Sequence, residues 1–129
     1  MCGILGLVDF KSFVKDGKKS LFLSALGTLN HRGPDATGLY INDNVIFGHK
    51  RLSIIDLSKN GDQPMTAEDS NFVIVYNGEI YNYKSLLSSI GNIKSNSDTE
   101  VILKGYMLHG TKFFKSLRGM YSFAIYDKK

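Results

Sequence analysis

Two apolar periods alternate along this 129-residue chain. Residues 2 to 8 (CGILGLV) form a short apolar run that reads as a buried strand, with two glycines where another backbone or a ligand comes close. Lys15-Asp16-Gly17-Lys18-Lys19 reads as a polar turn. Ser20 then stands as an N-cap before a helix with Phe22, Leu23, Leu26 and Leu29 on one face, which stops before Gly33-Pro34. Gly38 to Ile41 and Val45 to Gly48 flank Asn42-Asp43-Asn44 as a β-hairpin whose second arm runs on to Ile55. A polar loop spans Asp56 to Met65. Phe72 to Tyr76 is the clearest core strand, β-branched and aromatic throughout, and it leads straight into Asn77-Gly78-Glu79. A short helix is expected from Asn82 to Ile90, with Leu86, Leu87 and Ile90 on one side. Ser97-Asp98-Thr99-Glu100 has the form of a capping box and opens a helix through His109 that Gly110 ends. Phe113, Phe114 and Leu117 make a short packed turn, and Gly119 to Asp127 a last strand. Mixed order with hairpins predicts an α+β fold with antiparallel sheets.

Length predicts one domain, and 43% hydrophobic residues suffice for one core. The net charge of +4 is mild and carried by scattered Lys and Arg. No basic run interleaves with aromatics, which argues against nucleic acid as a partner. The apolar runs are too short for a membrane span, and Asp9 interrupts the first of them too early for a signal peptide. One Cys excludes an intrachain disulfide and fits a reducing, cytoplasmic setting, and the three His lie too far from it in sequence to suggest a metal site.

The chemistry starts at Cys2. Removal of Met1 would leave a thiol and a free α-amine on one residue. Groups of these kinds titrate near ~8.5 and ~8, so they can exchange a proton close to neutrality. A terminal amine serving as base for its own side-chain nucleophile is an established arrangement. Three further polar groups stand at strand ends or helix starts, namely Arg51, Asn77-Gly78-Glu79 and Asp98. A thiolate attacking a carboxamide makes an oxyanion, which an Asn amide and a Gly N–H can stabilise. Arg51 can grip a carboxylate through two bonds, and Asp98 or Glu79 can hold an ammonium. A carboxamide carrying both is glutamine or asparagine. Taken singly, each has a plainer reading: Cys2 as a small core residue, Asn-Gly as a type I′ turn, Ser97 to Glu100 as a helix cap, Arg51 as a surface charge. His31 and His49 are assigned structural hydrogen bonds, since a terminal amine makes a separate base unnecessary.

Met1-Cys2-Gly3-Ile4, His31-Arg32-Gly33-Pro34-Asp35, Gly48-His49-x-Arg51-Leu52-Ser53-Ile54-x-Asp56-Leu57, Tyr76-Asn77-Gly78-Glu79-Ile80-Tyr81-Asn82 and Ser97-Asp98-Thr99-Glu100 follow one another along the chain. Together they resemble the glutaminase domain of glutamine-hydrolysing asparagine synthetases, a class II glutamine amidotransferase domain of the N-terminal-nucleophile hydrolase type. Leu117 to Asp127 resembles the family's Gly-Met-Phe-Ala-Phe-Ala strand, departing at Tyr121 and Ser122.

The resemblance implies two stacked antiparallel sheets between helical layers (αββα), with the family's last strands missing from this chain. It implies Cys2 as nucleophile with its own amine as base, and Asn77 and Gly78 as the oxyanion hole. Arg51 would bind the glutamine carboxylate, Leu52, Ser53, Ile54 and Ile55 would line the pocket, and Glu79 and Asp98 would hold the α-amino group. The implied reaction is hydrolysis of L-glutamine to glutamate and ammonia through a Cys2 thioester. The ammonia would pass to a synthetase domain or subunit that amidates aspartate. ATP and Mg2+ belong to that synthetase part, whose Ser-Gly-Gly-x-Asp-Ser loop does not occur in these residues. No cofactor or metal is expected in this chain, and a homodimer is compatible with the family. The alternatives are a truncated or non-catalytic glutamine-binding module, or the glutaminase part of an amidotransferase with another acceptor.

Overall fold

The computed structural model describes residues 2–11, 14, 16–54, 56–69 and 71–128. Among them, strands β1 (Gly3–Val8), β2 (Ala36–Asn42) and β3 (Val45–Arg51) form one antiparallel sheet in the order β1-β3-β2. Strands β4 (Met65–Thr66), β5 (Phe72–Ile80) and β6 (Gly119–Asp127) form a second, in the order β4-β5-β6. Helix α1 (Asp16–Gly27) covers the outer face of the first sheet, and α2 (Tyr83–Ile90) and α3 (Asp98–His109) cover the second. The result is an αββα layering, the α+β architecture that the sequence predicts.

Side-chain alternation explains why β3 and β5 sit in the middle. In β3, Ile46 turns out to Phe22 and Leu26 of α1, while Val45 and Phe47 turn inward. In β5, Val73 and Val75 meet them across the sheets, while Phe72, Ile74, Tyr76 and Ile80 face α3 residues such as Ile102. A period of two thus feeds two different cores from one strand. Each fully buried Val or Ile contributes roughly 1.5–3 kcal/mol.

Five local readings change. Helix α1 starts at Asp16, so Ser20 lies inside it rather than capping it. The expected polar turn over 15–19 is helical from Asp16, with Lys18 and Lys19 in the helix and Lys15 outside the described residues. Leu23 is exposed, and the buried face is Phe22 and Leu26. Asn77-Gly78 is not a turn: β5 continues to Ile80, pairing Asn77 with Ser122 and Gly78 with Tyr121. The capping box is only half made. Ser97 accepts from the Thr99 N–H, but Glu100 turns back to the Lys94 and Ser95 N–H groups, and the Ser97 N–H donates to Ser95 Oγ instead.

His49 follows Phe47 on the inner face of β3 and is wholly buried, with neither ring nitrogen hydrogen-bonded. The expected structural hydrogen bond is therefore absent here, whereas His31 makes one to the Thr28 carbonyl at 3.0 Å. The Tyr76 backbone acts on His49 electrostatically without meeting hydrogen-bond geometry. Burial dominates and pushes the imidazole down from 6.5 to about 4.

Two predictions follow from this packing. A Cβ on Gly38 would stand 1.8 Å from the Gln63 carbonyl oxygen, whereas one on Gly17 of α1 meets nothing within 4 Å. In urea titrations Gly38→Ala lowers stability by about 1–3 kcal/mol, and Gly17→Ala raises it by roughly 0.5–1 kcal/mol. The second concerns acid. Unfolded His49 takes up a proton near pH 6.5 and folded His49 only near pH 4, so stability is whole above 6.5 and declines toward 4. The loss amounts to about 3 kcal/mol. Asp56, held below its ordinary 3.8 by hydrogen bonds from Ser58 and Asn96, acts only at lower pH. His49→Leu flattens the slope between pH 6.5 and 4; an unchanged slope contradicts the assignment.

Candidate active site

At one end of the inter-sheet layer lies a cavity of about 140 Å³. Cys2, Arg51, Leu52, Ile54, Asn77, Gly78, Glu79 and Asp98 all line it, which brings together most of the expected residues from positions as far apart in sequence as Cys2 and Asp98. Ser53 does not line it, and Ile55 lies outside the described residues.

Cys2 immediately precedes β1, whose first residue Gly3 pairs with Lys50 of β3. That register sets Cys2 beside the chain leaving β3. Its Sγ lies 3.4 Å from the Leu52 N–H nitrogen and 3.6 Å from the Leu52 carbonyl. The N–H can donate to the sulfur, an interaction that strengthens when the sulfur carries charge. Asp35 fixes the same stretch of chain: its N–H donates to the Arg51 carbonyl at 3.0 Å, and its carboxylate accepts from the Ser53 N–H at 2.7 Å. Asp35, the last residue of the His31-to-Asp35 motif, thus holds the segment after β3.

Arg51 ends β3 facing inward and is only 7% exposed. The loop over 56–62 wraps its guanidinium. Nη1 donates to the Ser58 carbonyl at 2.8 Å and to Asp62 Oδ1 at 2.6 Å, and Nη2 donates to the Asp56 carbonyl. Gly61 is required here, because a Cβ would meet Nη2 at 2.5 Å. Asp56 in turn accepts from the Ser58 and Asn96 N–H groups, joining the loop to the start of α3. Among the described residues three of the five guanidinium donors have partners, and Nε–H and one Nη2 hydrogen do not.

The polar half of β5 owes its donors to the short β4, which pairs only with Val73 and Ile74. Beyond β4 the strand edge meets side chains instead. The Tyr76 N–H donates to Gln63 Oε1 at 2.6 Å and the Ile80 N–H to Asp98 Oδ2 at 2.9 Å. Strand amides alternate sides, so the Gly78 N–H between them points the same way, away from β6. A side chain at Gly78 would strike the Met120 carbonyl at 2.3 Å, so close pairing with β6 requires glycine. Asn77 is half-buried; its Oδ1 is buried without a partner, and its Nδ2 makes no hydrogen bond among the described residues. Asp98 is 4% exposed at the first residue of α3, with Oδ2 accepting also from the Tyr76 hydroxyl at 2.6 Å. Glu79 is exposed at the rim.

Gln63, Tyr76 and Thr99 are site residues that the sequence reading missed. Gln63 sits in a loop read only as polar, yet it bonds both the Tyr76 backbone and Thr99 Oγ1. Tyr76 reads as core because it is core on its ring side; its place next to Asn77 was the available signal. Among the described residues no group of three or more His, Cys, Asp or Glu could hold a metal, and no helix is long and apolar enough to cross a membrane.

The cavity therefore gathers a thiol, amide donors, a buried guanidinium and a buried carboxylate. Comparison with known proteins gives the family. The family profile described as "Glutamine amidotransferase domain" matches residues 1–129. The chain is 43% identical over 133 residues to "Asparagine synthetase B [glutamine-hydrolyzing]" of Escherichia coli, covering 100% of this chain and 24% of that protein. It is 37% identical over 131 residues to "Asparagine synthetase [glutamine-hydrolyzing] 1" of Lotus japonicus, covering 100% of this chain and 22% of that one. It is 40% identical over 131 residues to "Asparagine synthetase [glutamine-hydrolyzing] 2" of Bacillus subtilis, covering 99% of this chain and 17% of that one. The chain thus spans about a quarter or less of the length of these relatives. The chain belongs to the glutamine amidotransferase domain family.

Proposed function

We propose that this chain hydrolyses L-glutamine to glutamate and ammonia, and that the ammonia serves an asparagine synthetase-type amidation of aspartate. The observation that carries the reading is the shared cavity: Cys2 stands in one pocket with Asn77, Gly78, Arg51 and Asp98. Glutamine offers one group for each of them. Its carboxylate goes to the two unused Arg51 donors, its ammonium to Asp98 with Glu79 at the rim, and its carboxamide to Cys2.

The steps follow from those contacts. With Met1 removed, the α-amine of Cys2 takes the thiol proton and the thiolate attacks the side-chain carbonyl carbon. The tetrahedral oxyanion accepts from Asn77 Nδ2 and the Gly78 N–H. The α-ammonium returns its proton to the leaving nitrogen, the C–N bond breaks, and ammonia leaves a γ-glutamyl thioester. Water, deprotonated by the same amine, attacks the thioester; glutamate departs and the thiol is restored. Leu52, beside the sulfur, and Ile54 line the wall of the pocket. Aspartate activation, with its ATP and Mg2+, belongs to a synthetase domain or subunit, and this chain is the glutaminase part of such an enzyme in the cytoplasm.

Ammonia release from L-glutamine by the whole protein tests this. Cys2→Ala lowers the rate by about a thousandfold or more, and equal rates contradict the reading. A preparation whose amino-terminal sequence still begins with Met1 is inactive, because the base is then an amide nitrogen. Turnover by that form excludes the α-amine mechanism.

A further inference from the structure

We infer that Tyr76 is a positioning residue for glutamine: its hydroxyl turns the Asp98 carboxylate so that Oδ1 is presented to the substrate's ammonium. This rests on the reading that Asp98 binds that ammonium.

A carboxylate has two equivalent oxygens and rotates unless something distinguishes them. Here two donors converge on one. The Tyr76 hydroxyl lies 2.6 Å from Oδ2 and the Ile80 N–H nitrogen 2.9 Å from the same atom. Oδ1 has no protein donor among the described residues, although Asp98 is 4% exposed and lines the cavity. Oδ1 opens onto the cavity and is available there to a cationic group. The short hydroxyl bond therefore selects which oxygen faces the ligand.

Tyr76 is placed for this by both its halves. Its ring packs in the helix-side core with Ile74, Ile80 and Ile102. Its backbone N–H is held by Gln63 Oε1 at 2.6 Å, and Gln63 is held by Thr99 at 3.1 Å. The residue is thereby tied to β5 beside Asn77 and to the first turn of α3 beside Asp98. The amide end and the ammonium end of the pocket are set by one side chain and its neighbours. Burial first, and Asp98 second, push the phenol far above its usual range, so the hydroxyl remains the donor.

The test is a double-mutant cycle on glutamine binding, read by calorimetry in the whole protein carrying Cys2→Ala to prevent turnover. Tyr76→Phe removes one oxygen and keeps the ring. It weakens L-glutamine binding about tenfold, the scale of one hydrogen bond to a charged group. Asp98→Asn weakens it at least as much. Adding Tyr76→Phe to Asp98→Asn changes the affinity less than twofold, because the hydroxyl acts only through that carboxylate. Disturbed packing would weaken binding equally in both backgrounds, and such additivity overturns the proposal. So does unchanged binding in Tyr76→Phe alongside a loss in Asp98→Asn. Unchanged binding in Asp98→Asn instead removes the ammonium assignment itself. Should Tyr76→Phe not fold, Thr99→Val, which cuts the Gln63 tie two steps away, gives the same cycle. Its effect is expected to vanish in the Asp98→Asn background, and persistence there counts against the proposal.

Discussion

The first half of strand β5 is dry on both faces, and that constraint decides where polar groups can stand. Val73 and Val75 are sealed against the first sheet, and Ile74 and Tyr76 against α3. Nothing polar fits along its first half. The second half outruns β4, so its outward amides must find acceptors elsewhere. Buried backbone donors without partners are costly. Gln63 and Asp98 supply two of the acceptors, and the position between them is Gly78. The site is thus a consequence of a short neighbouring strand as much as of the residues that line it.

The same logic governs Arg51. A guanidinium that is almost fully buried needs partners on most of its donors. The loop after β3 provides two carbonyls and Asp62. This arrangement holds still the guanidinium of a residue that lines the cavity. His49, two residues earlier on the same face, has no such shell and is neutral instead. One strand face therefore carries a charge that is wrapped and an imidazole that is stripped.

Much of the fold was legible because it is periodic. The unbroken β-branched and aromatic run Phe72 to Tyr76 and the hairpin around Asn42 to Asn44 announce themselves locally. So do the glycine stop at Gly110 and the order of strands and helices. What was not legible depends on which of two competing local signals wins, or on contacts distant in sequence. Helix α1 begins at Asp16, before its apolar face starts, because the Lys residues that look like a turn are also good helix formers. Asn77-Gly78 carries a turn signal, but Ser122 and Tyr121 of β6 extend it as strand. Glu100 completes the written form of a capping box, yet the chain at Lys94 and Ser95 takes its carboxylate. In the site, Cys2, Arg51, Asn77, Gly78, Glu79 and Asp98 could be named from the order of motifs. Gln63 could not, since its contribution is a hydrogen bond across the fold, and Tyr76, although it heads a motif, reads as core.

The central claim is that Cys2 forms a covalent intermediate with the substrate. Its direct measurement is an intact-mass and peptide-mapping spectrum of the whole protein quenched in acid during turnover of L-glutamine. The account predicts a γ-glutamyl adduct on the peptide that begins at Cys2, lost on treatment with hydroxylamine. Ammonia release without any such adduct in a quench fast enough to capture turnover, or an adduct on another residue, would contradict it.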